Sequence, residues 1–501
     1  MRRNAIYILV LTLITGPAQH VFSQSIKPDS SQAEVSITKH DITIEGKLIH
    51  YSATAGTIVL KNEKGDSIAL FGFTAYVKDG EPDAGKRPVT FAYNGGPGSS
   101  SMWLHMGALG PKVVVINDPG LTGPSPYKTI DNEHSILDLT DLVMIDPVGT
   151  GLSHPIGKAT GKDFWGVDQD IKSVSQFIKQ YVTDKDRWNS PKYLLGESYG
   201  TFRSAGVANY LFVNMGMEMN GVILVSSVLD YNTFSNDLAC ELFFPTYAAV
   251  AWYHHKLPNV KGGLEPFLNE VRNFTSGEYA TALQKGNQIS EAEKDQIAAK
   301  LSTYSGLSKD YWYKANLRVI EPAFTQELLR DEHLTVGRLD ARYKGINMDL
   351  HSEYSDDDPQ SVEISPAYIA SFMNYYYTEL KVSKRFDYKV NCYGAEGFKW
   401  DFSRVKTENF AIAPNTGTDL ASLMSKNPNL KILVLNGYYD LATPFYGTEY
   451  TFNHLGLEKK LQGNISMKYF EAGHMMYVHP ASLVLFKKTV GEFILATSPG
   501  K

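Results

Sequence analysis

Tyr193-Leu194-Leu195-Gly196-Glu197-Ser198-Tyr199-Gly200-Thr201 decides how the chain is organised. A short apolar run leads into Gly-x-Ser-x-Gly, and small residues with helical potential follow. This is the nucleophile-elbow pattern, a strained strand-to-helix turn that lifts a serine hydroxyl out at the top of a sheet. The flanking glycines let other backbone come close. By itself the pentapeptide does not separate a catalytic serine from a chance match. The order of the surrounding parts does that.

Moving outward, Asp141-Leu142-Val143-Met144-Ile145-Asp146 is close to continuously apolar, as a strand covered on both faces should be. Ile171, Val174, Phe177, Ile178 and Tyr181 recur at helical spacing. A second helix is expected from Phe202 to Val213, and a further buried strand over Gly221 to Ser226. Strand character returns at Leu430 to Gly437 and at Met467 to Phe470, and a last helix spans about Ala481 to Leu495. Strand and helix alternate, which predicts a mostly parallel, doubly wound α/β sheet flanked by helices. Ahead of it, Val35 to Tyr93 reads as β structure, with Gly46, Gly56 and Gly65 as hairpin turns. Between about Leu229 and Ile364 the rhythm breaks into helical pattern without an apolar strand. The expected organisation is a core in two parts, 34–230 and 365–501, with a mainly helical cap lobe, 231–364, inserted between them.

The 501 residues suffice for one large core with an inserted lobe, and a net charge of −6 gives no reason to expect nucleic acid as a partner. Arg2 and Arg3, the apolar run Ala5 to Ile14 and the small residues before Ser23 predict an export signal over residues 1–23. That run is too short for a stable membrane anchor, so the mature protein is expected to be periplasmic or extracellular and unanchored. Cys240 and Cys392 could form one disulfide, which sequence alone leaves open. Asp356, Asp357 and Asp358 fall in a polar stretch whose spacing does not fit an EF-hand, and it reads as a solvated acidic loop. His254 and His255 lack a zinc-site context. No metal and no cofactor is called for, and the oligomeric state is open.

A serine hydroxyl needs a base within hydrogen-bond reach, and the base needs a group that fixes its tautomer. Asp440 follows an apolar strand and is the last aspartate of the chain. Of the three histidines beyond it, His454 lies in an expected helix and His479 precedes Pro480. Only His474 sits in a Gly-His turn directly after a strand. Ser198, Asp440 and His474 are therefore the candidate nucleophile, acid and base, in the chain order expected of an α/β-hydrolase fold. The loop Asn94-Gly95-Gly96-Pro97-Gly98-Ser99-Ser100-Ser101 lacks the Lys-Ser/Thr ending of a phosphate loop. A glycine loop after a strand can instead aim backbone N–H groups at a developing oxyanion.

With these pieces in place the chain resembles the serine carboxypeptidase family of α/β-hydrolase peptidases. The resemblance rests on the Asn94 to Ser101 loop, Asp146-Pro147-Val148-Gly149-Thr150-Gly151-Leu152-Ser153, the Gly196 to Gly200 elbow, Asn436 to Asp440 and Ala472-Gly473-His474-Met475. It implies a Ser198, Asp440 and His474 triad, an oxyanion hole from the N–H groups of Gly96 and Tyr199, and a peptide substrate with a free C-terminus. Asn94, Gly95 and Glu197 would then receive that terminal carboxylate. Two carboxylates a hydrogen bond apart cannot both stay charged, so the pair must share a proton and binding should favour acidic pH. The chain departs from the family pattern at Ser99, where a cysteine is usual, at Ala92 for a tryptophan, and at Ala108 for a glutamate that helps orient the carboxylate pair. The elbow also reads Tyr-Gly-Thr rather than Tyr-Ala-Gly. An esterase or acyltransferase with the same triad is the alternative, and a non-enzymatic binding protein on this fold is a third class.

Overall fold

The computed structural model describes residues 32–257, 260, 262–404 and 413–498. The leader expected over residues 1–23 lies outside them. Three long antiparallel strands come first: β1 (Val35–Ile44), β2 (Lys47–Lys61) and β3 (Ser67–Lys78). Glu45 and Gly46 both take positive φ, 49° and 75°, in the two-residue turn between β1 and β2. That is what a tight hairpin following the right-handed strand twist needs. Gly56 is no turn. It lies inside β2, opposite Val35 on one side and Phe73 on the other. A Cβ there would stand 2.1 Å from the Glu34 carbonyl oxygen, so this glycine marks a close backbone approach.

The remaining main strands are β4 (Val89–Tyr93), β5 (Asp141–Asp146), β6 (Lys192–Ser198), β7 (Gly221–Ser227), β8 (Lys431–Gly437) and β9 (Ile465–Phe470). They join β1 to β3 in the order β1-β2-β3-β5-β4-β6-β7-β8-β9, and a short bridge at His154–Pro155 completes a 10-stranded sheet. From β5 to β9 every pairing is parallel. The apolar runs fill both faces with period two. Leu194, Val222, Leu224, Ile432 and Val434 point into one core, while Leu195, Ile223, Val225, Leu433 and Leu435 point into the other. Each such side chain contributes about 1.5–3 kcal/mol relative to leaving it in water.

Helices α1 (Val167–Asp184) and α2 (Tyr199–Met215) cover the first face. Ile171 meets α2 where a Cβ on Gly206 would stand 2.2 Å from its Cδ1, so the two helices cross in direct contact. Helices α3 (Asn236–Tyr253), α4 (Leu264–Phe274) and α5 (Glu291–Ser305) pack around a separate apolar cluster centred on Phe244, Tyr279 and Trp312. That cluster also takes in Tyr438, Tyr439, Leu441 and Phe445, which follow β8. This stretch also holds one short pairing, Thr335–Val336 with Lys344–Gly345. Helix α6 (Pro359–Asn374) runs through the expected boundary at residue 364 and buries Ile364, Ala367, Tyr368 and Phe372 in the second core of the sheet. The closing helix α7 (Pro480–Thr497) shares that core.

One further expectation changes. Asp358 is not simply solvated: Oδ1 caps α6 through the Ser361 amide at 2.8 Å, and Oδ2 accepts the amides of Arg338 and Leu339. Cys240 and Cys392 are both buried and both free. Among the described residues no helix is long and apolar enough to cross a membrane.

One buried ion pair ties the sheet to both helices of the first face. Arg203 on α2 donates from Nε to Asp170 on α1 at 2.7 Å and from Nη1 to the Asn94 carbonyl at 2.8 Å. Both side chains are almost completely out of water. Burial pushes the Asp170 carboxyl up, and Arg203 is what pulls it back. Removing one partner leaves an uncompensated buried charge. Arg203→Met should therefore cost about 3–5 kcal/mol in urea unfolding. Adding Asp170→Asn should recover part of that loss; a double variant as unstable as the two single losses added together would contradict the pairing.

Candidate active site

Ser198 ends β6 and caps α2 with φ 59° and ψ −129°. A non-glycine residue pays roughly 1–3 kcal/mol for such a conformation, so the surroundings must hold it there. They do so by close packing. A Cβ on Gly196 would stand 2.1 Å from the Gly200 carbonyl oxygen, and one on Gly95 would stand 2.4 Å from the Tyr199 nitrogen. Only glycine at both positions lets the elbow close and lets the loop after β4 lie against it. Ser198 is partly exposed at the floor of a cavity of about 660 Å³, which Asn94, Gly95, Gly96, Glu197 and His474 also line.

Tyr199 is the first residue of α2, so its N–H has no acceptor within the helix and faces outward from the helix start. Gly96 belongs to the loop that packs on this point, with φ 109°. The Asn94 side chain is buried, and its Oδ1 accepts the Leu104 amide at 3.0 Å, which fixes the orientation of the group.

His474 and Asp440 meet from the loops after β9 and β8. Nδ1 of His474 lies 2.8 Å from Asp440 Oδ2. Asp440 is fully buried and saturated: Oδ1 accepts the amides of Ala442 and Thr443 at 2.8 and 2.9 Å, and Oδ2 accepts the Thr443 hydroxyl at 2.7 Å. Burial pulls the His474 imidazole down, but the charge and hydrogen bond of Asp440, with help from Glu197, outweigh it and leave the ring raised above its ordinary value. With Nδ1 engaged by Asp440, the ring's other nitrogen is left for chemistry in the cavity.

The His474 backbone is held from three sides. Its N–H donates to the Leu339 carbonyl at 2.6 Å, the Ser226 hydroxyl donates to its carbonyl at 2.6 Å, and the preceding Gly473 amide donates to Asp340 Oδ2 at 3.0 Å. Arg342 in turn forks onto Asp340 and onto Asp118, at distances of 2.6 to 3.1 Å, and Tyr343 adds its hydroxyl to Asp118 at 2.8 Å. Thr443, Asp340, Arg342 and Asp118 were not singled out from sequence. Arg338, on the cavity wall, was missed as well. No short motif announces them, because they come from separate segments and act through the loops they hold.

Glu197 is the unusual member of the group. It is 3% exposed, and burial pushes its carboxyl up to about 7, against the charge of His474 and the polar groups of Tyr477 and Asn94 that pull it down. Tyr477 and Asn94 lie near enough to favour the ionised form, yet no donor is aligned on Glu197 Oε2, which has no hydrogen-bond partner. Ala108, which stands where the family resemblance implies an assisting glutamate, is buried, and its carbonyl accepts from the Asn132 side chain at 2.8 Å. All eight sequence-predicted residues are thus accounted for around one site. Among the described residues no cluster of three or more His, Cys, Asp or Glu could hold a metal ion.

A family model described as serine carboxypeptidase matches residues 54–486. No curated protein matches the chain in sequence. Among solved structures, the prohormone-processing carboxypeptidase KEX1(DELTA)P from Saccharomyces cerevisiae superposes with a TM-score of 0.56 at 16% identity, covering 89% of this chain and 92% of that one. A proline iminopeptidase from Mycobacterium smegmatis gives a TM-score of 0.34 at 13% identity, covering 92% and 99%. The sheet order, the elbow and the family match over most of its length agree: this chain belongs to the serine carboxypeptidase family and has the α/β-hydrolase fold.

Proposed function

We propose that the protein removes single residues from the C-terminus of peptides through an acyl-enzyme on Ser198. Ser198 Oγ attacks the carbonyl of the last peptide bond while His474 takes the hydroxyl proton. The tetrahedral oxyanion is held by the N–H groups of Gly96 and Tyr199. His474 then returns the proton to the leaving amine, the C–N bond breaks, and the terminal amino acid departs. Water, activated by the same imidazole, attacks the ester and restores Ser198. Asp440 fixes the tautomer and offsets the positive charge on the ring in both halves of the reaction.

The observation that carries the exopeptidase reading is Glu197. A buried carboxyl with an unpartnered oxygen, next to the nucleophile and on the cavity wall, is costly unless something completes it. A substrate carboxylate completes it when one of the two holds a proton, and the upward shift to about 7 means that Glu197 can supply that proton near neutrality. Asn94 and the Gly95 backbone would take the remaining oxygen. With the leader read at residues 1–23, the proposal places the enzyme outside the cytoplasm.

Three outcomes follow from this arrangement. A peptide with a free C-terminus should lose its last residue, and its C-amidated twin should be cut far more slowly; equal rates in a mass-spectrometric digest would favour the esterase or acyltransferase reading. Ser198→Ala should retain the fold by circular dichroism and lose about 10⁴-fold or more of turnover. For Glu197 the sign runs from protonated, binding-competent enzyme below about pH 7 to ionised, repelling enzyme above it. KM should rise roughly tenfold per pH unit on the alkaline side and be flat across the same range in Glu197→Gln, whose amide cannot ionise. Identical KM profiles for the two enzymes would exclude the shared proton.

A further inference from the structure

Arg338 stands between the loops that carry Asp440 and His474. Its own carbonyl accepts the Leu441 amide at 3.0 Å, and the next carbonyl, that of Leu339, accepts the His474 amide at 2.6 Å. Asp358 Oδ2 receives the amides of Arg338 and Leu339 at 2.7 and 2.9 Å. Main-chain groups on both sides therefore fix where residue 338 lies, whatever its side chain does.

That side chain is 53% exposed and faces the cavity of Ser198 and His474. Among the described residues lining the cavity it is the one lysine or arginine. Its nearest acid is Glu321, with 3.6 Å between Nε and Oε2, beyond hydrogen-bond range. Burial pushes the Glu321 carboxyl up to about 7 while Arg338 pulls it back, so the counter-charge is incomplete near neutrality. A planar guanidinium with uncommitted donors at the mouth of a site suits a carboxylate.

Its place also indicates which substrate residue it meets. Its segment is bonded to the loops of Asp440 and His474, and Tyr231, after β7, lines the same cavity, whereas Asn94 and Gly95 come from the loop after β4. Tyr231 packs against Phe234 and Phe402, forming an aromatic wall after β7. Arg338 thus enters the cavity from the segment that holds the Asp440 and His474 loops, not from the loop after β4 that would bind the terminal carboxylate. We infer that Arg338 selects peptides whose penultimate residue, the one that supplies the scissile carbonyl, carries an acidic side chain. This rests on the carboxypeptidase reading, with the aromatic wall taking the stem of that side chain and the guanidinium its carboxylate.

The test uses short peptides that share a neutral, free C-terminal residue and differ only in Glu, Gln or Lys at the penultimate position, with kcat/KM measured near neutral pH. Glu should exceed Gln by about tenfold, the scale of one hydrogen bond between charged groups in a partly exposed site, and Lys should fall below Gln. High salt should narrow the Glu to Gln ratio. Arg338→Gln should bring that ratio to within about twofold, and Arg338→Glu should reverse the order in favour of Lys. A ratio unmoved by either substitution, or an acidic preference found only at the C-terminal residue, overturns the inference. Trimming of the Gln peptide by the unsubstituted enzyme reports on the underlying reading: if that peptide is trimmed and Glu has no advantage, only the role of Arg338 fails.

Discussion

Two stretches of backbone approach each other more closely than any side chain would allow, and the site depends on that contact. The loop after β4 lies on the turn between β6 and α2, where a Cβ on Gly95 would collide with the Tyr199 nitrogen. The consequence is electrostatic as much as steric. The outward N–H of Tyr199 and the Gly95 backbone come together next to a serine held at positive φ. Arg203 secures the contact from behind, because the guanidinium that satisfies Asp170 also holds the Asn94 carbonyl. The strain at Ser198 is thus borne by a central, fully buried strand and a buried ion pair, not by the exposed turn itself.

The histidine side is held by different means. Backbone packs closely here too, since a Cβ on Gly437 would stand 2.2 Å from the Gly473 carbonyl oxygen, but side chains from the segment before α6 also reach across to the His474 loop. Asp340 takes the Gly473 amide, and Arg342 clamps Asp340 against Asp118. A buried cluster of this kind is weak evidence for stability, since the desolvation of three charges offsets most of their attraction. What it does supply is a single geometry. Glycine at 473 is part of it, because a Cβ there would stand 2.4 Å from Asp340 Cα. The same segment presents Arg338 to the cavity, so the element that positions His474 also furnishes a wall of the cavity.

This difference explains what was legible in the sequence. The elbow, the Asn94 loop, Asp440 and His474 are each written within a few consecutive residues, because strand-end loops are where this fold places chemistry and each loop needs its own glycines. The parallel sheet was legible for a related reason: strands buried on both faces must be continuously apolar. Asp118, Asp340 and Arg342 left no such mark, since their meaning lies in a meeting of separate segments. Gly56 misled because a glycine that permits a neighbouring strand to approach looks the same, in sequence, as one that turns the chain. The expected boundary at residue 364 falls within α6, which begins beside Asp358 and ends in the core of the sheet.

The loss of a second carboxyl at position 108 bears on how Glu197 keeps its proton. Two facing carboxyls hold a proton by mutual repulsion, each raising the other. Here the methyl of Ala108 adds no such repulsion, and the ring edge of Tyr477 and the hydroxyl of Tyr368 lie near the adjacent Gly107. A tyrosine hydroxyl bears no charge at neutral pH, and as a donor it favours the ionised carboxylate. Burial then stands almost alone in raising Glu197, with Tyr477, Asn94 and His474 all opposing it. The carboxyl comes to rest at about 7, beside a His474 imidazole that Asp440 raises above its ordinary value. The two groups are coupled by their charges: protonating Glu197 removes part of what holds the proton on His474. Under the proposed function, a substrate carboxylate sharing the Glu197 proton would restore one negative charge to the pair, and terminus binding and the basicity of the imidazole would be linked through a single proton.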